Sequence, residues 1–210
     1  MRTLPSPIRL AATGLLVAAA VSVVWGVLAP GAGAQQSCPD GCVDVVAVDG
    51  IIDDIEADFI IGSVRSANRA GDVVAVVLQM DSPGAAVDDV RLNELASVIA
   101  NSRVPVSVWI GAAGASALGG AAELVQVADS SGITPGSGIG DVGDQRLDVA
   151  EFGVLFEGRS AEAQSRVLEG EAAVEAGLVD RFSPTLVEHV GELDQVEVRE
   201  VKGDDGEMRR

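Results

Sequence analysis

Apolar and polar positions along the chain predict alternating strands and helices from about residue 43 onward. Two unbroken apolar runs, residues 73–80 and 104–110, are typical of strands buried on both faces of a parallel sheet. Residues 43–48 are rich in β-branched side chains and predict a third strand. Apolar residues at helical spacing predict helices over roughly 56–69 and 87–100. This alternation predicts right-handed β-α-β crossovers in a layered α/β domain with a mostly parallel sheet.

The second half of the chain has a weaker pattern. We predict a helix over residues 121–127, a glycine-rich loop with one short strand over 130–140, and no clear element over 141–156. Three further elements are predicted: a helix over 161–176 closed by Gly177, a short strand over 178–182 and a last helix over 184–193. The domain is therefore expected to span residues 35–195, and 196–210 are expected to form a mobile acidic tail.

Two turns of special composition follow predicted strands. One is Asp-Ser-Pro-Gly-Ala at 81–85, and the other is the small-residue stretch 111–120, which contains Ser116. Ligands gather at the carboxyl ends of strands in sheets of this kind. The second turn has two interpretations: Ser116 is a nucleophile presented at a helix N-terminus, or it is an ordinary N-cap in a tight turn.

The N-terminus has the pattern of an export signal. Arg2 and Arg9 precede an uncharged apolar stretch over residues 10–29, and small residues end in Ala34. We predict that residues 1–34 are a signal peptide cleaved after Ala34, with an uncleaved membrane anchor as the alternative. Either interpretation places the main domain outside the plasma membrane.

Composition narrows the chemistry. The formal net charge is −18, which argues against a nucleic-acid partner. The chain has one histidine, His189, one lysine, Lys202, and no tyrosine, so few side chains could serve as a general base near neutral pH. Cys38 and Cys42 are too few for a closed zinc site, and in an exported chain this spacing favours a local disulfide. We expect no metal and no cofactor.

The order of these motifs resembles the ClpP/crotonase fold. The chain shows Asp-Ser-Pro-Gly after a strand, Gly-Ala-x-x-Ala-Ser-Ala before a helix, and then Thr-Pro-Gly-Ser-x-Ile-Gly. Within that fold it resembles the N-terminal peptidase domain of NfeD-type membrane-bound serine proteases, and more distantly signal peptide peptidase A. The resemblance covers about residues 43–193, including the late Ala-x-x-x-Gly-Leu-Val-Asp stretch at 173–180.

The resemblance implies roles for particular residues. Ser116 matches the nucleophile, and the backbone N–H groups of Gly84, Ala85 and Ala117 match the oxyanion hole. Ala85 stands where the family has a second glycine. The resemblance also implies a serine–lysine dyad, but no lysine occurs before Lys202.

The family's lysine region, residues 140–166, offers only Arg146, Arg159 and Arg166 as cations, and arginine cannot accept the serine proton. We expect His189 to be a surface residue beside Glu188. We expect the carboxylates of Asp129, Asp141 and Asp144 to be solvated, and no base within about 3.2 Å of the Ser116 hydroxyl.

Two functions follow from the resemblance. One is an exported or membrane-tethered serine peptidase acting on peptides or membrane proteins. The other is an inactive domain of the same fold that serves as a scaffold or binds partners at the outer membrane face. A crotonase-type acyl-CoA enzyme is disfavoured, because export separates the chain from cytosolic coenzyme A. The resemblance further implies a homo-oligomer, and a separately encoded membrane partner is an open possibility.

Overall fold

The structure is a computed structural model that describes residues 41–193 and the backbones of 201–202 and 208–209. These residues belong to one compact unit, Ser37–Arg210. The predicted leader, residues 1–34, lies outside the described residues. So does most of the predicted tail, although Val201–Lys202 (β9) and Met208–Arg209 (β10) form a short antiparallel pair.

A five-stranded parallel sheet forms the centre of the molecule. Its strands stand in the order β1-β2-β3-β5-β8, and every neighbouring pair is parallel. Their bounds are Cys42–Asp49 (β1), Val73–Asp81 (β2), Val106–Ile110 (β3), Ser130–Ile133 (β5) and Arg181–Phe182 (β8). All five residues of β3 are buried, as the unbroken apolar run predicts. The α/β class with a mostly parallel sheet is therefore confirmed.

Two long helices connect the first three strands of this sheet. Helix α1 spans Asp54–Ala67 and α2 spans Asp89–Ala100, close to the predicted bounds. Each begins at an aspartate cap: Asp53 accepts from two N–H groups of α1 at 2.9 Å, and Asp88 accepts from the Arg91 N–H at 2.8 Å. Their apolar faces join a single buried cluster that includes Ile60, Leu92 and Leu124.

A second, smaller sheet differs from the prediction for the glycine-rich segment. It contains Ser116–Leu118 (β4), Gly138–Gly140 (β6) and Val167–Glu169 (β7). Strand β4 runs parallel to β6, and β6 runs antiparallel to β7. The segment 130–140 thus holds two strands, β5 and β6, each in a different sheet, where one was predicted.

The predicted helix over residues 161–176 is wrong. The segment contains the end of a 3₁₀ helix at Gly158–Gln164, then β7, and then a short helix, α5, at Gly170–Glu175. Pairing with β6 overrides the local helical pattern, because Leu168 lies opposite Ile139 in the small sheet. The remaining helices are short: Gly120–Gln126 (α3), Val149–Phe152 (α4) and Leu186–Gly191 (α6). None of the described helices has both the length and the apolar character needed to cross a bilayer.

Candidate functional site

The two turns that the sequence singles out lie side by side. Ser82 pairs with Ala117 in an isolated parallel bridge. The Ser82 N–H donates to the Ser116 carbonyl at 2.6 Å, and the Leu118 N–H donates to the Ser82 carbonyl at 3.0 Å. The carboxyl end of β2 and the short strand β4 therefore form one continuous surface. This surface, residues 81–85 together with 116–120, is called the candidate site below.

Ser116 is held by the carboxylate of Asp81. Asp81 Oδ1 accepts from the Ser116 backbone N–H at 2.9 Å and from its hydroxyl at 3.4 Å. Among the described residues, the Asp81 carboxylate is the side chain that hydrogen-bonds this hydroxyl, and 3.4 Å is longer than the limit of about 3.2 Å set for a general base. Sequence reasoning gave Asp81 no role, although a carboxylate at the end of a strand beside a special turn was a usable signal.

Ser116 does not begin a helix, so its predicted position at a helix N-terminus is wrong. It is the first residue of β4, and the N-cap of α3 is Gly119. A Cβ built on Gly119 would lie 4.0 Å from the Gly84 Cα, so the start of α3 does face the first turn. The residue at that helix start has no side chain. The pair Gly119-Gly120 was the signal in the sequence that could have predicted the close approach of the α3 start to the turn at Gly84.

The three predicted oxyanion donors have different environments. The Gly84 N–H donates to Ser82 Oγ at 3.3 Å. The Ala85 N–H has no acceptor among the described residues. Because Gly138 donates to the Ala115 carbonyl at 3.0 Å and pairs with Ser116, the parallel ladder directs the Ala117 N–H toward Gly138. Of the three donors, the Ala85 N–H is the one that could meet a ligand oxygen.

Ala85, at the position where the resemblance implies a second glycine, does not strain the backbone. The left-handed conformation falls on Gly84, whose φ is 146°. Among the described residues other than glycine, Asp141 alone has a positive φ. Ala85 is therefore compatible with this turn, and its Cβ does not in itself displace the donor.

In residues 140–166, where the resemblance implies a lysine, the side chain of Arg146 contacts the candidate site. Its guanidinium donates to the Ala85 carbonyl at 2.9 Å and to the Asp89 carboxylate at 2.7 Å. Its backbone N–H bonds to Glu123, a fully buried carboxylate on α3. Burial raises the pKa of Glu123, and the N–H donors of Leu147 and Arg146 oppose this rise. Sequence reasoning did not single out Glu123, although it is the one charge within the apolar helix over 121–127.

His189 is fully buried, so its predicted surface position is wrong. Its Nε2 lies 2.7 Å from the hydroxyl of Ser107, near the amino end of β3, and not beside Ser116. Its Nδ1 is buried and has no partner among the described residues. Desolvation and, to a smaller extent, the nearby Arg181 together lower the pKa of His189 to about 4, and Asp180 partly opposes them. His189 and Ser116 are not brought together.

None of the remaining candidates among the described residues makes a hydrogen bond to Ser116. Asp129, Asp141 and Asp144 are exposed, and Asp129 accepts from the Val106 N–H at 2.8 Å. Arg159 is exposed, and Arg166 pairs with Glu162. For Lys202 only the backbone is described. Cys42 is disulfide-bonded, and Cys38 lies outside the described residues. The part of the chain that the structure describes contains no cluster of three or more acidic, histidine or cysteine side chains able to hold a metal.

Comparison with solved structures identifies the fold. The 1510-N membrane protease from Pyrococcus horikoshii, specific for a stomatin homolog, superposes with a TM-score of 0.61 at 19% identity over 72% of this chain and 78% of its own. A mutant of the 1510-N protease in complex with a substrate peptide superposes with the same TM-score, 0.61, at 18% identity over 72% of this chain and 80% of its own. The chain has the ClpP/crotonase fold.

The same fold also covers enzymes of a different chemistry. A putative enoyl-CoA hydratase from Mycobacterium avium paratuberculosis superposes with a TM-score of 0.58 at 18% identity, over 70% of this chain and 67% of its own. No family model matches the sequence, and no curated protein matches it. The ClpP/crotonase fold is thus shared with peptidases and hydratases alike, and the function has to be argued from the candidate site.

Proposed function

We propose that this ClpP/crotonase-fold chain is an NfeD-type peptidase-like protein that binds peptide segments without hydrolysing them. The observation on which the proposal rests is the partner of Ser116. Its hydroxyl donates to the exposed Asp81 carboxylate at 3.4 Å, and among the described residues no amine or imidazole accompanies it. Serine nucleophiles are activated by an adjacent base such as histidine or an amine.

The N–H group of Ala85 in the candidate site supports peptide binding. The Ala85 N–H is unused within the described residues, and Ala85 itself is half-buried at the edge of the turn. An extended peptide backbone offers carbonyl groups that such a donor can bind. The 1510-N protease structure with a bound substrate peptide has the same fold, which makes a peptide a reasonable class of ligand.

A serine peptidase remains the second candidate because of the same contact. Asp81 and Ser116 are close enough for the carboxylate to orient the hydroxyl, and Ala85 could supply one donor to an oxyanion. In this candidate Ser116 is the nucleophile and Asp81 is its hydrogen-bond partner. The two candidates share the fold and the ligand class, and they differ only in whether the serine forms an acyl-enzyme.

A fluorophosphonate probe separates the two candidates. The full chain, purified in mild detergent, is treated with the probe beside the Ser116→Ala variant, and binding of an arrayed library of extended decapeptides is measured by fluorescence anisotropy. We expect no serine-dependent labelling and saturable binding of some peptides. Labelling that is lost in Ser116→Ala would establish the peptidase. A folded protein that neither labels nor binds would exclude both candidates.

The proposal includes a location outside the plasma membrane. It is supported by the Arg-flanked apolar segment that ends near Ala34 and by the bonded state of Cys42, because disulfides persist in oxidising compartments. The domain would act there as a homo-oligomer and with a separately encoded membrane partner. Purification of the native protein free of any membrane protein would count against that partner, and a monomeric mass in light scattering would count against self-association.

A further inference from the structure

The guanidinium of Arg146 donates all its hydrogen bonds among the described residues to one short segment of the chain. Nη1 donates to the Ala85 carbonyl at 2.9 Å, Nη2 donates to the Val87 carbonyl, and Nε donates to the Asp89 carboxylate at 2.7 Å. These three acceptors lie within five consecutive residues that join the Gly84 turn to helix α2. All three guanidinium nitrogens therefore hold the segment that follows the candidate site.

The backbone of Arg146 is itself held by hydrogen bonds to the side chains of Glu123 and Asn93. Its N–H lies 3.0 Å from one oxygen of Glu123 and 3.1 Å from the other, and the Leu147 N–H lies 2.8 Å from Glu123. The Arg146 carbonyl accepts from Asn93 Nδ2 at 3.2 Å. Since Glu123 belongs to α3 and Asn93 to α2, the backbone at Arg146 is anchored to both helices beside the candidate site.

The geometry also explains the orientation of the Ala85 N–H. Ile52 donates to the Gly84 carbonyl at 2.9 Å and accepts from the Ala86 N–H at 2.8 Å. In an extended residue the N–H and the carbonyl point the same way, so both polar groups of Ala85 face away from Ile52. Arg146 binds the carbonyl of that pair, and the N–H is left beside it.

We propose that Arg146 is a positioning residue that holds the Ala85–Val87 backbone in one conformation and so directs the Ala85 N–H toward a ligand. Its role depends on the planar guanidinium, which binds two carbonyls and a carboxylate at once. Lysine, with a single nitrogen, cannot reproduce the set. The link to ligand binding rests on the proposed function, whereas the link to backbone conformation does not.

Hydrogen exchange in the ligand-free full chain tests the conformational step. The variants are Arg146→Gln and Arg146→Lys, with Arg91→Gln and Arg91→Lys as matched controls. Arg91 lies nearby on α2, and its guanidinium binds the carboxylates of Asp58 and Glu94 and no carbonyl among the described residues. We expect the Ala86 amide to exchange about tenfold faster in Arg146→Gln, with only partial recovery in Arg146→Lys and unchanged protection in β2 and β3.

Each other outcome has a defined meaning. Unchanged exchange at Ala86 in both Arg146 variants would overturn the proposal, as would full recovery in Arg146→Lys. Equal acceleration throughout the sheet in both variants would assign Arg146 to global stability and would also overturn it. The Ala85 amide resonance in a ¹H–¹⁵N spectrum gives a second readout, which should shift in the Arg146 variants and stay in place in the Arg91 variants.

Peptide binding is measured separately with the decapeptide library. If local exchange accelerates while the wild-type chain binds no peptide, Arg146 keeps its positioning role and the proposed function fails. If wild-type peptide binding is intact and Arg146→Gln weakens it together with faster exchange at Ala86, both hold. Peptide binding that is equally strong in the wild type and in Arg146→Gln would break the link between Arg146 and the ligand.

Discussion

Asp81 Oδ1 accepts two hydrogen bonds from Ser116, one from the backbone N–H at 2.9 Å and one from the hydroxyl at 3.4 Å. The shorter of these bonds ties the end of β2 to the start of β4, and so it joins the large sheet to the small one. The longer one involves the hydroxyl that the family resemblance assigns to catalysis. The Asp81 carboxylate therefore forms a better hydrogen bond with the Ser116 backbone, which joins the two sheets, than with the Ser116 hydroxyl.

We expect Asp81→Ala to lower the free energy of unfolding by about 1 kcal/mol, because the Ser116 N–H loses its acceptor at a position that water can partly reach. Asp81→Asn keeps an amide oxygen at the same place and should lose about half of that. Urea denaturation followed by circular dichroism measures both. Asp144→Ala serves as a control, since Asp144 is exposed and makes no hydrogen bond among the described residues. An Asp81→Ala chain as stable as this control would contradict the prediction.

Ser116→Ala should change the free energy of unfolding by no more than about 0.5 kcal/mol, since the hydroxyl bond is long and the backbone bond to Asp81 survives. The measurement is again urea denaturation. A loss comparable to that of Asp81→Ala would mean that the hydroxyl, and not the backbone N–H, provides most of the contact. In that case the side chains of Ser116 and Asp81 would interact more strongly than their separation suggests.

We expect the free energy of unfolding to fall in mild acid because of His189. Desolvation lowers its pKa in the folded protein from the ordinary 6.5 to about 4, so the folded state binds a proton less readily than the unfolded chain. The stabilisation is complete above pH 6.5 and is lost as the pH falls toward 4. The loss should approach about 3 kcal/mol over that range.

The measurement is the free energy of unfolding at several pH values for the wild type and for His189→Gln. The variant lacks the titrating ring, so its profile should be flatter between pH 7 and 4 even though its stability at neutral pH is lower. Asp180, Arg181 and Glu192 surround the same region and are present in both chains, so their titration cancels in the difference. Parallel profiles would refute the assignment.

The sequence predicted those elements whose pattern is local. Strands β2 and β3 are largely buried and appear as unbroken apolar runs. Most apolar residues of α1 face the core, although Ile55 and Phe59 are exposed. The order of motifs also located the two turns of the candidate site. The two turns lie side by side in the structure. The alternation of strands and helices favours this arrangement, because it brings the carboxyl ends of parallel strands to one edge of the sheet.

The failures have a common cause in contacts between distant parts of the chain. Strand β7 forms where a helix was predicted because β6 offers it a partner. His189 is buried because Gly132 has no side chain: a Cβ there would lie 2.5 Å from the His189 Nδ1. The roles of Asp81 and Arg146 likewise depend on segments that only the folded chain places together. No periodicity in the sequence contains this information.

Glu123→Ala should be strongly destabilising. The carboxylate is fully buried and accepts the N–H groups of Arg146 and Leu147, which would be left without an acceptor. We expect a loss of about 2–4 kcal/mol, and a smaller loss for Glu123→Gln, which keeps one acceptor oxygen. Thermal and urea unfolding measure both variants, and Glu175→Ala, which removes an exposed carboxylate at the end of helix α5, is the control. A loss below that of the Gln variant would contradict the assigned contacts.

Gly140 tests the junction of the small sheet. Its φ is 139°, and a Cβ there would lie 2.2 Å from the Arg166 carbonyl oxygen, which belongs to the backbone leading into β7. Gly140→Ala should therefore cost more than about 2 kcal/mol of unfolding free energy, because neither the conformation nor the backbone can yield cheaply. Gly62→Ala is the matched control: Gly62 lies inside α1 with nothing within 4 Å of its built Cβ. That substitution should stabilise the chain by about 0.5–1 kcal/mol through helix propensity. Similar free energies of unfolding for the two variants would show that β6 and β7 do not approach as closely as described.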